Sequence, residues 1–360
     1  MTDRERFLRT MRFQPVDRPP LYLVGIWGDT LRRWHREGLP PGTDPHAFIG
    51  VRSLEVVNVS GTMGMHPAYV SRIVAEDETF KVHVDCYGRT VRDLKTGTSM
   101  PEWLEFPVTD RDSFARVLDE HYSVADMDER FPQEWEARVR RAGAGSAVLL
   151  IDGGCYYWTL RSLAGVEGAS YLLYDAPDLV EELFERYLTV VLEGIRRAAP
   201  LARIDVLGFG EDIACKNRPL LSPQMFRRFI LPRYRQALAA ARAAGIDLTW
   251  YDSDGDLRLF MADYLEAGID TFAPCEVAAG MVPSELRRAY GRNVRLIGGI
   301  DKREVARGPA AIDAEIARNR ACMEEGGFLP TIDHTVSADI SFDSYRYFLD
   351  AVRRVYGKCR

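Results

Sequence analysis

The chain has 360 residues, 46% hydrophobic and 28% charged, with a formal net charge of −6. This is the composition of an ordinary globular protein, long enough to bury a full core without disulfide staples. The acidic balance excludes a broad nucleic-acid surface, and no apolar run reaches the roughly 18 residues that would span a membrane.

The opening segment, MTDRERFLRT, is charged and amphipathic and lacks the apolar core of a signal peptide, so a cytoplasmic protein is expected. Residues 3–13 place Phe7, Leu8 and Met11 on one helical face, and the prolines from Pro15 to Pro20 break that helix. Residues 21–26 read as a first strand ending at Trp27-Gly28-Asp29, residues 30–50 as loop and helix, and residues 54–59 as a second strand. From 69 to 97 the period changes to two: Val70, Arg72 and Val74, then Phe80, Val82 and Val84, with turns at Tyr87-Gly88 and Lys95-Thr96-Gly97. A β-hairpin insertion is expected there. Residues 110–118 and 133–141 are helical.

From 148 onward strand and helix alternate. Strands are expected at 148–151, 204–209, 248–252, 271–273, 295–297 and 328–332. Helices are expected at 177–199, from Ser222-Pro223 toward Gly245 with a kink at Pro232, and at 257–267, 283–290, 310–325 and 342–355. Such alternation means parallel strands with right-handed crossovers. About eight strand–helix units fit the length, so the expectation is a single α/β domain over residues 1–360, a (β/α)8 TIM barrel carrying the 69–97 insertion.

One pattern repeats through this half. The run LTWYD continues into Ser253, Asp254, Gly255 and Asp256; residues 204–209 end in Gly210-Glu211-Asp212; residues 271–273 end in Pro274-Cys275-Glu276. Residues 295–297 end in Gly298-Gly299-Ile300-Asp301, and residues 328–332 in Asp333-His334. Five strands thus deliver carboxylates, a thiol or an imidazole to one rim, where a barrel of this kind holds its active site. Each group also has an ordinary alternative. Asp252, Asp254 and Asp256 could cap a strand-to-helix loop, Glu211 could sit at a helix N-terminus, and Cys275 could fill core. The six cysteines, Cys86, Cys155, Cys215, Cys275, Cys322 and Cys359, form no C-x-x-C pair and suit reduced thiols. No P-loop, dinucleotide fingerprint or H-E-x-x-H motif is present.

Several stretches together resemble the uroporphyrinogen decarboxylase superfamily, which includes haem-pathway decarboxylases and methyltransferases serving corrinoid proteins. Gly153-Gly154-Cys155-Tyr156-Tyr157-Trp158-Thr159-Leu160 is similar to its Gly-x-Pro-Phe-Thr-Leu stretch. Leu221-Ser222-Pro223-Gln224-Met225-Phe226, followed by Leu231-Pro232-Arg233-Tyr234, is similar to its Leu-Ser-Pro helix. Gly298-Gly299-Ile300-Asp301 resembles a glycine-rich strand end, and Asp333-His334-Thr335-Val336 before Ser341-Phe342-Asp343-Ser344-Tyr345 resembles a late signature. The departures separate the branches. Where the decarboxylases carry arginines that hold substrate carboxylates, residues 23–28 read LVGIWG, and where they carry an aspartate for the pyrroles, residues 57–62 read VNVSGT.

The resemblance implies a methyltransferase that demethylates a small methoxyl or methylated substrate. The methyltransferases' zinc-ligating His-x-Cys falls on Asp252 and Asp254, and their late Cys on His334. A harder divalent-metal site is therefore expected, zinc included, formed by Asp252, Asp254 and His334 with Glu211 and Cys275 as further ligands. The expected catalytic groups are His334, Glu211, Asp301 and Tyr156, with Tyr157, Trp158, Arg218 and Glu276 binding substrate. His334 would act as ligand or as general acid/base, its tautomer set by Asp333 or a neighbour. The chain has no Asp-x-His-x-x-Gly segment, so a corrinoid would arrive on a separate protein. A homodimer is the further expected partner state. The alternatives are porphyrinogen-type decarboxylation, and a non-catalytic barrel that binds a small molecule or a corrinoid protein.

Overall fold

The computed structural model describes residues 1–95 and 100–357. Its strands in chain order are β1 (Val56–Asn58), β2 (Arg72–Glu76), β3 (Phe80–Val84), β4 (Thr90–Leu94), β5 (Glu102–Glu105), β6 (Val148–Gly154) and β7 (Val206–Gly210). They continue as β8 (Ala214–Cys215), β9 (Arg218–Pro219), β10 (Leu248–Asp252), β11 (Thr271–Cys275), β12 (Arg295–Ile300) and β13 (Phe328–Ile332). Seven of them form a curled parallel sheet in the order β1-β6-β7-β10-β11-β12-β13.

Residues 21–27 complete the ring. Leu54 N–H donates to Leu21 O at 2.6 Å, Val336 N–H to Gly25 O at 2.8 Å and Trp27 N–H to Val336 O at 3.2 Å, while Ile26 bridges Val336 in parallel. The expected first strand is therefore extended chain that closes a TIM barrel through a few bonds. Pro19 and Pro20, which carry no N–H, immediately precede it.

Strand periodicity fills the barrel. Val148, Val206, Leu248, Trp250, Ala273, Ile297 and Leu329 form one buried cluster with Phe7 and Met11. Those last two project from the helix Asp3–Met11, which a capping box of Thr2 and Glu5 starts. Phe7 stacks on Trp250 with ring centroids 6.2 Å apart, so this helix plugs the end of the barrel opposite the acidic rim. Burying each of these side chains contributes roughly 2 kcal/mol. The alternate strand residues, such as Leu149, Ile151, Leu207, Phe209 and Tyr251, join the larger core under the surrounding helices.

Two expectations change in detail. The insertion is a four-stranded antiparallel sheet, β2-β3-β4-β5, reaching Glu105; Thr96 and Gly97 of the expected turn, like Cys359, lie outside the described residues. At Pro232 the helix passes through a π-helical turn, Phe226–Ile230, before continuing as Leu231–Ala243. A proline that cannot donate its N–H loosens the ladder in just this way. Among the described residues no helix is long and apolar enough to cross a membrane.

Candidate active site

Period-two alternation carries Asp152 of β6 and Asp252 of β10 to the inside of the barrel at its C-terminal rim. Each follows two inward apolar residues: Val148 and Leu150 for Asp152, Leu248 and Trp250 for Asp252. Both line a cavity of about 440 Å³. Asp252 also lines a neighbouring cavity of about 210 Å³ that contains Asp254 and His334. Asp252 is the shared wall between them.

Three donors converge beside that wall. One atom each from Asp254, Glu276 and His334 all lie within 4.8 Å of one another, and all three side chains are half-buried. The loops explain the meeting. Gly255 has φ +87°, and a Cβ there would lie 2.6 Å from Cys215 O, so only glycine makes the turn after Asp254. Gly255 N–H donates to Glu276 Oε2 at 2.9 Å, holding the β11 loop against the β10 loop. Asp333 turns inward and accepts from the backbone N–H groups of Val277 and Lys302, each at 3.0 Å. His334 is left facing the rim, with Nε2 3.3 Å from Asp254 Oδ2. Asp254, not Asp333, orients the imidazole. That contact raises the His334 pKa, against the opposing effect of burial. Two carboxylates and one imidazole, half-open and mutually close, match the donor set of a divalent-metal site with room for further ligands.

Asp252 stands outside this trio. By accessible surface it is exposed, opening onto the two cavities among the strand ends at the barrel mouth. Burial, with the nearby charges of Asp212 and Asp254, pushes its carboxyl up to about 7. It can hold or release a proton near neutrality.

Glu211 has a different role from the expected ligand. It is buried, and its carboxylate accepts from Tyr156 N–H at 2.8 Å and Tyr157 N–H at 2.7 Å, from Trp158 N–H at 3.1 Å, and from Tyr234 O–H at 2.6 Å. It caps the helix Tyr156–Asp175, whose own N-cap residue, Cys155, supplies no side-chain bond. Burial pushes Glu211 up to about 7 while these four donors pull it down. The next residue, Asp212, has φ +43°, an uncommon conformation for a side-chain-bearing residue, and its carboxylate meets Arg161 at 3.3 Å.

The remaining expected residues divide. Trp158 lines the larger cavity. Tyr156 and Tyr157 are buried with hydroxyls that find no hydrogen-bond partner among the described residues, and Tyr156 packs edge-on against Phe184 and Tyr187. Cys275 is buried, directs its thiol at Phe272 O, and is pushed up to about 12 by burial; it is core, outside the trio. Asp301 caps the helix Lys302–Ala306 and pairs with Arg303. Asp256 likewise accepts from Arg258 N–H and pairs with that guanidinium. Arg218 is exposed on the short β8–β9 ribbon. Sequence reasoning missed Asp152 and its neighbours Tyr122 and Tyr187 and gave Glu276 to substrate. Extending the alternation of 148–151 by one residue would have found Asp152.

The family profile described as uroporphyrinogen decarboxylase (URO-D) matches residues 155–355. No curated protein matches the chain. Among solved structures, a methyltransferase from Methanosarcina mazei is similar with a TM-score of 0.62 at 16% identity, covering 99% of both chains. A B12-independent methionine synthase from Shewanella sp. W3-18-1 gives a TM-score of 0.40 at 11% identity, covering 94% of this chain and 97% of that one.

Proposed function

Because the chain belongs to the uroporphyrinogen decarboxylase family, we propose that it is a methyl-transfer enzyme of that family, removing the methyl group of a small methoxyl or otherwise methylated substrate. A separate corrinoid protein is the proposed acceptor. The observation that carries this reading is the trio Asp254, Glu276 and His334 at the rim of the barrel, beside a cavity of substrate size.

These three residues would hold a divalent metal ion, zinc or a harder ion. Such an ion supplies Lewis acidity toward a heteroatom that bears the methyl group. The chain's own residues do the rest. Asp254 holds the His334 ring in place, and Glu276 is held by Gly255. Asp252, poised between the two cavities, can give a proton to the heteroatom that keeps the bonding electron pair as its methyl group leaves to the reduced corrinoid. Trp158 and Tyr87, packed edge to face at 5.2 Å, line the larger cavity.

Decarboxylation of a porphyrinogen has less physical support. Asp152, Glu211, Asp212 and Asp252 line the cavity and, among the described residues, no Lys or Arg does. A substrate rich in carboxylates would meet like charge there.

The test is metal analysis of protein purified without chelators, joined to a methyl-transfer assay with methoxylated substrates and a reduced corrinoid protein. Bound metal in the native chain, its loss in His334→Ala, and parallel loss of turnover are expected. A metal-free native protein whose turnover is unaffected by His334→Ala and Glu276→Gln removes the reading.

A further inference from the structure

The larger cavity combines acidity with aromatic walls. Tyr87, Tyr122, Trp158 and Tyr187 line it together with the carboxyl groups already named. Among the described residues, the guanidinium groups of Arg130, Arg161 and Arg89 are engaged. Arg130 donates to the backbone carbonyls of Thr62, Gly64 and Ser123 at 2.9, 2.8 and 3.2 Å. Arg161 meets Asp212 at 3.3 Å, and Arg89 meets Asp85 at 2.7 Å while stacking on Tyr87.

Among the described residues the hydrogen-bond partners of the Asp152 carboxylate are neutral: Gly154 N–H at 2.7 Å, Tyr187 O–H at 3.3 Å and the Cys155 thiol at 3.9 Å. Resting on the reading of this cavity as the substrate site, we propose that its ligand is a small organic cation, a substrate carrying an alkylated ammonium group. Such a group is weakly hydrated, is attracted to the faces of aromatic rings, and supplies the positive charge that Asp152 lacks. The ammonium is a recognition handle at the Asp152 end. The reacting heteroatom extends past Asp252 toward the Asp254–Glu276–His334 trio.

Calorimetric titration with choline, its neutral isostere 3,3-dimethylbutanol, and benzoate tests this. Choline is expected to bind at least tenfold tighter than the neutral isostere, with benzoate weakest. Asp152→Asn should lower choline affinity tenfold or more and leave 3,3-dimethylbutanol unchanged. Trp158→Leu should weaken choline while Trp158→Phe, which keeps a ring, retains it; circular dichroism checks that each variant folds. Equal binding of choline and its isostere, tighter binding of benzoate, or no binding of any of the three overturns the proposal. Repeating the titration on chelator-treated His334→Ala separates the two readings. A choline preference that persists there stands even when metal analysis fails the methyl-transfer reading, and bound metal with no choline preference leaves only that reading.

Discussion

His334 Nε2 lies 3.3 Å from Asp254 Oδ2, joining the ends of β13 and β10, two strands that are not neighbours in the barrel. With Glu276, from the end of β11, one of the two strands between them, the pair spans the mouth and sets the donor atoms of the trio within reach of one ion.

Removing one member should leave too few donors. His334→Ala and Glu276→Gln are each expected to weaken zinc or manganese binding by at least about tenfold, read by calorimetry or by loss of the metal-induced rise in Tm. Asp256→Asn is the control. Its carboxylate is engaged with Arg258, so metal affinity should hold, and an equal loss would show that the loop, not the trio, governs binding.

Glu211→Gln should be costly although the two side chains have the same shape. A glutamine has one carbonyl oxygen where four donors now converge on two. At least one backbone N–H of the helix start is left facing an amide N–H, at about 2–3 kcal/mol. Denaturant melts would show this as a lower midpoint at unchanged slope. A neutral result would mean that Glu211 does not anchor the helix Tyr156–Asp175.

Asp152 should make stability fall with rising pH. Burial pushes its carboxyl up to about 6, above the roughly 3.9 of an unfolded aspartate, so the folded state holds the proton more tightly. The stabilisation is complete below about pH 4 and is lost as pH rises through about 6, a swing of about 3 kcal/mol. The groups facing it are Tyr187, Cys155 and the Gly154 amide. Asp152→Asn should flatten this part of the profile and raise stability at neutral pH. Melts at pH 4, 6 and 8 that run parallel for both proteins would contradict the assignment.

Gly299→Ala should fail to pack. Gly299 has φ +71°, and an added Cβ would lie 2.1 Å from Pro283 Cγ. Backbone strain alone costs about 1–2 kcal/mol, and the clash adds to it. A large fall in Tm or insoluble expression is the expected outcome, whereas a native-like melt would place the glycine pair outside the structural framework of β12.

Local chemistry decided the elements. The alternation in Leu248, Trp250 and Asp252 specifies a strand with one inward face, and the acids that follow specify a polar rim, because burial on a pleated strand has period two wherever it occurs. Ser222-Pro223 starts a helix and Gly268, with φ +101°, ends one for equally local reasons. Tertiary structure decided which rim groups meet. Beyond a strand end the side-chain direction follows loop backbone, and that is set by contacts distant in sequence: Gly255 against Cys215, Asp333 against Lys302 and Val277, Glu211 beneath a helix that begins at Tyr156. Glu276 therefore joins Asp254 and His334 while Asp252 faces the barrel interior. A pattern along one strand carries no term for the loop packed against it.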